Sequence, residues 1–563
     1  MTRKKLAAGP IVRNARKSAY AALALAFALS AAGCSGGETP GTGSADGETG
    51  AAGDKRGSIT VSLYDRGTVP ASEGTMDSNR WTKWVNENGP ADVKYVTVPR
   101  FESLQKFNVL FASRQAPDLI FEFDTAYQGQ LYNQKQLMPL DDLIAKNSTE
   151  YKAMLEKYPA IQKAATMEDG KMYLLGRPME LTPQHYLLIR KDWLDKLGLD
   201  VPKTPDEFLA VAEAFTQKDP DGDGQANTEG TGLSFVAGII LNHMYGTGFT
   251  LFGEDQIPWV LENDKVVHDW ERIRSAISFQ QKLYDAGVVD KDFVTDKNGE
   301  KQKQMWISGK LGIYGSNGAD VGSYEALKQN VPDAEVIAMP LPETEFGSYS
   351  PLLSSPVQMT GMVNASAKDP VSVMKMIDFM VSDKYTNTIQ NGIEGEHYTK
   401  TDDGRAKPID PEKNKTELEY NRDMGMLTPL IGKNYGLKNK VSPTDAEKDF
   451  IKIYEQAEAA YMDPARPMVG ITQRAYLPLL PQNLATINTN ANKTMLDMAM
   501  QTIVGGGGQA AVDKFISDSQ AVWDKAGGAQ IDEFYATWYA ENKDDAILMS
   551  DIYEMGKQMK EQQ

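Results

Sequence analysis

Residues 92–123 read DVKYVTVPRFESLQKFNVLFASRQAPDLIFEF and hold a strand, a helix and a second strand in succession. Positions 92–98 alternate polar and apolar side chains, the two-residue period of a half-buried strand. Leu104, Phe107, Leu110 and Phe111 then recur at helical spacing with their apolar groups on one face. Pro117-Asp118 punctuates the chain, and LIFEF (119–123) is a short strand. Upstream, SITVSLY (58–64) reads as another strand, and 79–88 reads as a helix between the two. The order strand, helix, strand, helix, strand implies a parallel sheet with helices on both sides, an α/β fold. Ligands of such sheets sit beyond the carboxyl ends of the strands. The loops Asp65-Arg66-Gly67, Pro99-Arg100 and 124–127 therefore carry most interest.

A second α/β pattern starts near Tyr186. Thr204-Pro205-Asp206-Glu207 is a helix start: Thr204 can cap, Pro205 fits the first turn and Glu207 completes a capping box. Phe208, Val211, Ala212 and Phe215 form the buried stripe of that helix. Residues 272–286 predict a helix stopped by Gly287, 311–314 a short strand, and Asp369-Pro370 the start of a helix carrying Val373, Met376, Ile377 and Met380 on one face. Beyond about 400 the chain is mostly helical. The glycine run 505–508 is a turn before a helix and lacks the Lys-Ser/Thr of a phosphate-binding loop.

Of 563 residues, 41% are apolar and 24% charged, the mix of a soluble globular chain long enough for a large core. Lys and Arg total 59 against 77 Asp and Glu, a net charge of −18, which argues against nucleic acid as a partner. The single cysteine, Cys34, excludes an internal disulfide framework. Four histidines, His185, His243, His268 and His397, speak against a multi-histidine metal centre.

Positions 1–33 hold six cations, Arg3, Lys4, Lys5, Arg13, Arg16 and Lys17, and no acid. An apolar run follows, shorter than the ~20 residues of a membrane span. This is the pattern of a secretory signal. Ala31-Ala32-Gly33 before Cys34 resembles a bacterial lipobox, with Ala31 where leucine is usual. That likeness implies cleavage before Cys34 and its lipidation, palmitate included. Without the leader, 53 bases face 77 acids, a net of −24. Residues 34–57, CSGGETPGTGSADGETGAAGDKRG, hold no large apolar side chain and read as a flexible tether.

The strongest chemical motif is DPDGDGQANTEG, 219–230. Asp219, Asp221 and Asp223 stand at loop positions 1, 3 and 5, Gly224 supplies the sharp turn at 6, and Gln225 at 7 can offer its carbonyl. Asn227 falls at position 9 and Glu229 at 11; position 12 is Gly230 rather than a bidentate glutamate. Three carboxylates this close repel unless a hard cation neutralises them. The exit, GLSFVAGII (232–240), reads as a strand rather than a second helix. The expectation is a structural calcium site, with a metal-free acidic turn as its alternative.

Together these pieces resemble the lipoprotein-type extracellular solute-binding proteins of ABC importers. Within that family the likeness is to the oligosaccharide-binding group related to alginate- and maltose-binding proteins. The resemblance rests on YDRGTVPASEGTMDSNRWTKWVNENG (64–89), VPRFESLQKFNVLFASRQAPDLIFEFD (98–124), YLLIRKDWLDKLGLDVPKTPDEF (186–208), the acidic loop and NGIEGEHYTK (391–400). It implies a two-lobed periplasmic-binding-protein-like fold of type II, with ligand in a cleft between α/β lobes joined by crossover hinges. Lobe 1 would comprise 58–178 and 345–400, and lobe 2 179–344 and 401–563. The family also implies that calcium stiffens the second lobe.

A sugar cleft needs aromatic plates and short polar groups. Arg66 could grip a hydroxyl or a uronate carboxylate, or make an ion pair within its lobe. Asn79 and Trp81 lie together, with Trp84 as a competing core residue. Asp124 and Tyr127 follow a strand end. Tyr245, Trp270 and Trp306 are stacking candidates of lobe 2, and Glu394, His397 and Tyr398 lie near an expected crossover. The expectation is a monomeric, lipid-anchored receptor on the outer face of a bacterial cell membrane. It would capture an oligosaccharide, deliver it to ABC permease subunits and perform no catalysis. A peptide receptor, a carbohydrate-active surface enzyme and an adhesive protein are the alternatives.

Overall fold

The computed structural model describes residues 56–252 and 256–561. The leader, Cys34 and nearly all of the tether lie outside them.

Lobe 1 is built on β1 (Gly57–Asp65), β2 (Ala91–Pro99), β3 (Leu119–Phe121) and β4 (Leu174–Pro178). β1 runs parallel to β2, from Gly57 opposite Ala91 to Asp65 opposite Pro99, and parallel to β3 at Val61 opposite Leu119. Thr60 fixes β3 beside β1: its N–H and hydroxyl donate to Asp118 Oδ2 at 2.8 and 2.7 Å. Between the strands stand α1 (Arg80–Asn88) and α2 (Ser103–Ala112), where the periodicity places them. α3 (Thr125–Asn133) follows β3.

Lobe 2 begins with β5 (His185–Arg190), β6 (Glu229–Thr231) and a hairpin of β7 (Trp259–Glu262) and β8 (Lys265–His268). β9 (Leu311–Asn317) and β10 (Val336–Met339) complete the four-stranded sheet β10-β5-β9-β6, in which only β6 and β9 are parallel. The helix Pro205–Gln217 is capped by Thr204, which accepts from Glu207 N at 3.2 Å. Glu207 reaches one residue further back than a capping box requires and accepts from Lys203 N at 2.7 Å. Phe208, Val211, Ala212 and Phe215 are buried, as their spacing predicts. The exit of the acidic loop differs from expectation: after three residues of β6 the chain forms the helix Val236–Met244. Every residue of that helix is buried. A segment apolar on all sides has no period with which to separate helix from strand.

β11 (Val357–Val363) returns to lobe 1 and inserts antiparallel between β3 and β4, giving the sheet order β2-β1-β3-β11-β4. A small hairpin, β12 (Tyr398–Lys400) with β13 (Ala406–Pro408), follows. The helices Asp445–Tyr461, Gln482–Gly505, Gly508–Ala526 and Ala529–Asn542 pack on the core of lobe 2. No helix among the described residues is long and apolar enough to cross a membrane.

Three chain segments cross side by side between the lobes. Met179 N donates to Pro356 O at 2.8 Å, Glu180 N to Leu430 O at 2.9 Å and Gln184 N to Leu352 O at 3.0 Å. Ser354 Oγ ties two of them, accepting from Thr182 N at 2.8 Å and donating to Glu180 O at 2.7 Å. These crossings shift the lobe boundaries read from sequence. Leu341 and Leu353 belong to the core of lobe 2, while Tyr420, Met424, Met426 and Leu427 belong to that of lobe 1. The second return to lobe 2 is therefore near 428–431 rather than at 401. Residues 391–419 have few apolar side chains, so no local pattern shows which core they join.

Candidate functional site

β11 pairs antiparallel with both β3 and β4, so β1 to β4 all run the same way. β4 leads at Pro178 directly into a crossover. The carboxyl ends of the parallel strands thus face lobe 2. On lobe 2, β9 reaches the same crossover edge at Asn317, opposite His185.

The lobe 1 edge carries an aromatic shelf. Tyr64 from β1 and Phe123 just after β3 stack at 5.8 Å between ring centroids, 19° apart. The guanidinium of Arg100, directly after β2, lies 4.9 Å from the Tyr64 ring and 5.2 Å from that of Phe123. Arg100 makes no ion pair or side-chain hydrogen bond among the described residues. Each neighbouring acid has one oxygen engaged by backbone N–H, while Glu122 Oε2 is buried without a partner. Asp65 accepts from Gly67 N at 2.8 Å, Glu122 Oε1 from Phe123 N at 2.7 Å and Asp124 N at 2.9 Å, and Asp124 from Tyr127 N at 2.7 Å. Phe101, next to Arg100, is 88% exposed. Arg474 donates from the C-terminal part of the chain to Thr125 Oγ1 at 3.4 Å.

On lobe 2, a pocket of about 300 Å³ opens at the carboxyl ends of β6 and β9, lined by Phe235, Lys303, Tyr314, Asn317 and Asp320 among others. Phe235 has φ 44° and ψ −113°. Such a backbone costs on the order of 1–3 kcal/mol for a residue with a side chain and clusters at functional sites.

The residues singled out from sequence take varied places. Arg66 is closed onto buried Asp423, Nε to Oδ2 at 2.6 Å and Nη2 to Oδ1 at 3.0 Å. Asn79 is the cap of α1: it accepts from Trp81 N and Thr82 N and donates to Thr75 O and Met76 O, so its amide is fully used. Trp81 is buried, and its indole donates to Glu417 O at 2.6 Å. Asp124 caps α3 at the shelf edge, while Tyr127 is buried against Phe107 and donates to Asn108 Oδ1 at 3.1 Å. Tyr245 packs in the core against Phe279, and Trp270 stacks on His268 at 4.0 Å. Trp306 is fully buried and stacks at 5.0 Å behind Tyr314, a wall of the lobe 2 pocket.

Glu394 is exposed and pairs with Lys400 at 2.7 Å; Tyr398 is buried at the start of β12. His397 is buried, accepting from Ile393 N at 3.1 Å through Nδ1 and facing Glu417 Oε2 at 3.0 Å through Nε2. Glu396, His397 and Glu417 lie close enough to hold a metal. Arg80 bonds Glu417 and Glu73, and Lys413 bonds Glu396 at 3.0 Å, so the chain's own cations neutralise this cluster.

Arg100 lies in a loop that the sequence marks as of interest, whereas Tyr64, Phe101, Phe123 and Phe235 are not among the sequence candidates. Arg100-Phe101 was within reach, since the pair directly follows a strand of the parallel sheet.

In the acidic loop, Asp219, Asp221 and Asp223 each offer an oxygen within 4.8 Å of the others. Asp221 Oδ1 is buried without a hydrogen-bond partner. This donor set fits a hard cation. Gln225 N donates to Asp223 Oδ1 at 2.8 Å, and Asn227 Nδ2 to Asp223 Oδ2 at 3.0 Å. Glu229 stands apart in β6, where burial, then the Asp290 charge, push its carboxyl up to about 7. The ammonium of Lys310 lies among the loop oxygens, bonded to Asp221, to Asp223 Oδ2 at 2.6 Å and to Asn227 Oδ1 at 3.1 Å.

The sequence profile described as bacterial extracellular solute-binding protein matches residues 79–387. Lipoprotein LipO of Bacillus subtilis is 24% identical over 486 residues, 82% of this chain and 88% of that one. The polygalacturonan/rhamnogalacturonan-binding protein YtcQ of the same organism is 26% identical over 403 residues, 68% of this chain and 73% of that one. Among solved structures, an EF-hand mutant of the Streptococcus pneumoniae ABC-transporter substrate-binding protein FusA, in complex with fructo-nystose, superposes with a TM-score of 0.67 at 19% identity. That match covers 87% of this chain and 100% of the other. With two α/β lobes, three crossovers and a family profile matching more than half its length, the chain belongs to the bacterial extracellular solute-binding protein family.

Proposed function

We propose that this chain is the substrate-binding protein of an ABC importer and that its ligand is an oligosaccharide held between the lobes. The observation that carries the reading is the cluster of Arg100 and Phe123 over the buried Tyr64 ring, with exposed Phe101 next in sequence, at the carboxyl ends of the lobe 1 strands. Flat rings suit the C–H faces of sugars, and an arginine with unused donors suits their oxygens. YtcQ and FusA are named for binding polysaccharide or oligosaccharide, in keeping with such a ligand. Arg100 takes the part foreseen for Arg66 and favours a sugar that carries a carboxylate, since guanidinium and carboxylate form bidentate pairs.

Cys34 is the lipid attachment point that holds the protein at the outer face of the cell membrane. The protein acts as a monomer, docks its closed lobes on permease subunits and leaves the ligand chemically unchanged. The acidic loop is a calcium site with Asp219, Asp221 and Asp223, Asn227 and the Gln225 carbonyl as its donors; LipO as a lipoprotein and FusA with its EF-hand support these two assignments. Titration of the protein with neutral and uronate-bearing oligosaccharides, followed by tryptophan fluorescence, tests the reading. Saturable binding with the sugar recovered intact after overnight incubation supports it. No binding to either class, or shortened sugar, refutes it.

A further inference from the structure

We propose that Lys310 is a tethered cation standing where calcium would stand, so that lobe 2 stays folded without the metal and calcium enters only by displacing this ammonium. The second half of the proposal rests on the calcium reading given above; the first does not.

Backbone pairing holds Lys310 in place. It directly precedes β9, its carbonyl accepts from Glu229 N at 2.9 Å, and its neighbour Leu311 is in register with Glu229. The root of the side chain is thereby clamped to the exit of the acidic loop. From there the ammonium reaches Asp221, Asp223 and Asn227 together, and the side chain is largely covered. A second ammonium, Lys196 Nζ, donates to Pro220 O at 2.7 Å on the same loop.

The remaining acceptors of the loop are mostly taken by its own backbone. Asp219 accepts from Gly222 N and Gly224 N, each at 3.1 Å, and Asp223 Oδ1 from Gln225 N at 2.8 Å. Of the three carboxylates, only Asp221 Oδ1 has no partner. The mutual repulsion that would demand a metal is thus already relieved by ammonium and N–H groups. Calcium needs six to eight oxygens at about 2.3–2.6 Å. Lys310 Nζ already lies 2.6 Å from Asp223 Oδ2, so metal and ammonium compete for one space and repel by charge. No bidentate glutamate closes the loop to tip that competition, because Glu229 faces Asp290 and Lys301.

The test compares thermal melts of the full chain in chelator and in calcium for wild type, K310M and K310R, with calcium affinity measured by titration calorimetry. The expected result is a wild type whose melting temperature barely moves with chelator. K310M should melt several degrees lower in chelator, regain that loss in calcium and bind calcium about tenfold more tightly than wild type. K310R, which keeps the charge, should resist chelator as wild type does. D221N guards against a misfolded K310M: it should weaken calcium binding yet leave the chelator melt within a degree or two of wild type. A wild type that loses as much stability in chelator as K310M overturns the tethered-cation role. Equal calcium affinities of wild type and K310M overturn the competition. If no variant binds calcium, the calcium reading and the competition fall together, and the chelator melts of K310M and K310R still decide whether Lys310 is the counter-ion.

Discussion

Arg66 and Asp423, 357 positions apart in sequence, form a two-point ion pair at the edge of lobe 1, Nε to Oδ2 at 2.6 Å and Nη2 to Oδ1 at 3.0 Å. The carboxylate is buried while the arginine is 38% exposed, so water screens one partner only. Removing the arginine leaves a buried charge without its partner. R66A should therefore cost about 2 kcal/mol, below the cost of breaking a fully buried pair. The D423N, R66A double variant should be less damaged than the two single losses added together. Urea melts of the four proteins measure this, and strict additivity would contradict the coupling. Ligand affinity should change little in R66A, because its guanidinium faces the lobe rather than the cleft.

Arg100 and Phe101 predict the opposite balance. Phe101 is 88% exposed, so F101A should leave the melting temperature unchanged and weaken sugar binding about tenfold, the worth of one stacking contact. R100Q should weaken binding of a uronate-bearing oligosaccharide by more than about tenfold and that of its neutral, reduced counterpart far less. Equal losses for both sugars would remove the carboxylate from the account.

His185 and His243 are both buried in lobe 2 and predict acid sensitivity. Burial pushes His185 down to about 4; burial, then its neighbour His185, push His243 down to about 3. The unfolded chain takes up these protons near 6.5 and the folded one does not. Stability is therefore present in full above about 6.5 and falls as pH drops towards the depressed folded values. Each histidine contributes on the order of 3 kcal/mol to that loss. Stability measured between pH 7 and pH 4 should fall less steeply in H185Q than in wild type, and an unchanged slope would show that this histidine is not responsible.

Asp532 gathers three donors at the contact between the β7–β8 hairpin and the C-terminal helices. It accepts from Trp259 Nε1 at 2.7 Å and Trp523 Nε1 at 2.8 Å, and meets His268 Nδ1 at 3.2 Å. D532A strands two indole N–H groups in a buried setting, at about 1–3 kcal/mol for each. Loss of stability with retained sugar affinity is the expected outcome, read from denaturant melts and fluorescence titration.

Local architecture and the chemical character of the acidic loop are legible in short runs of consecutive residues. Alternation in 92–98 and helical spacing from Leu104 to Phe111 were enough for β2, α2 and the parallel order of lobe 1, because a period reports which face is buried. Thr204 and Asp369 could be recognised as caps, since capping is a matter of three or four consecutive residues. Asp219, Asp221 and Asp223 could be seen to converge for the same reason. Tertiary structure alone decided what each polar group meets. Only folding brings Asp423 to Arg66, Glu417 to Trp81 and Lys310 into the acidic loop, because those partners lie 357, 336 and more than 80 positions away. Trp81, Tyr245 and Trp306 were equally eligible for cleft or core, since an aromatic ring suits both. The packing of remote segments buried those three and left Phe101 bare.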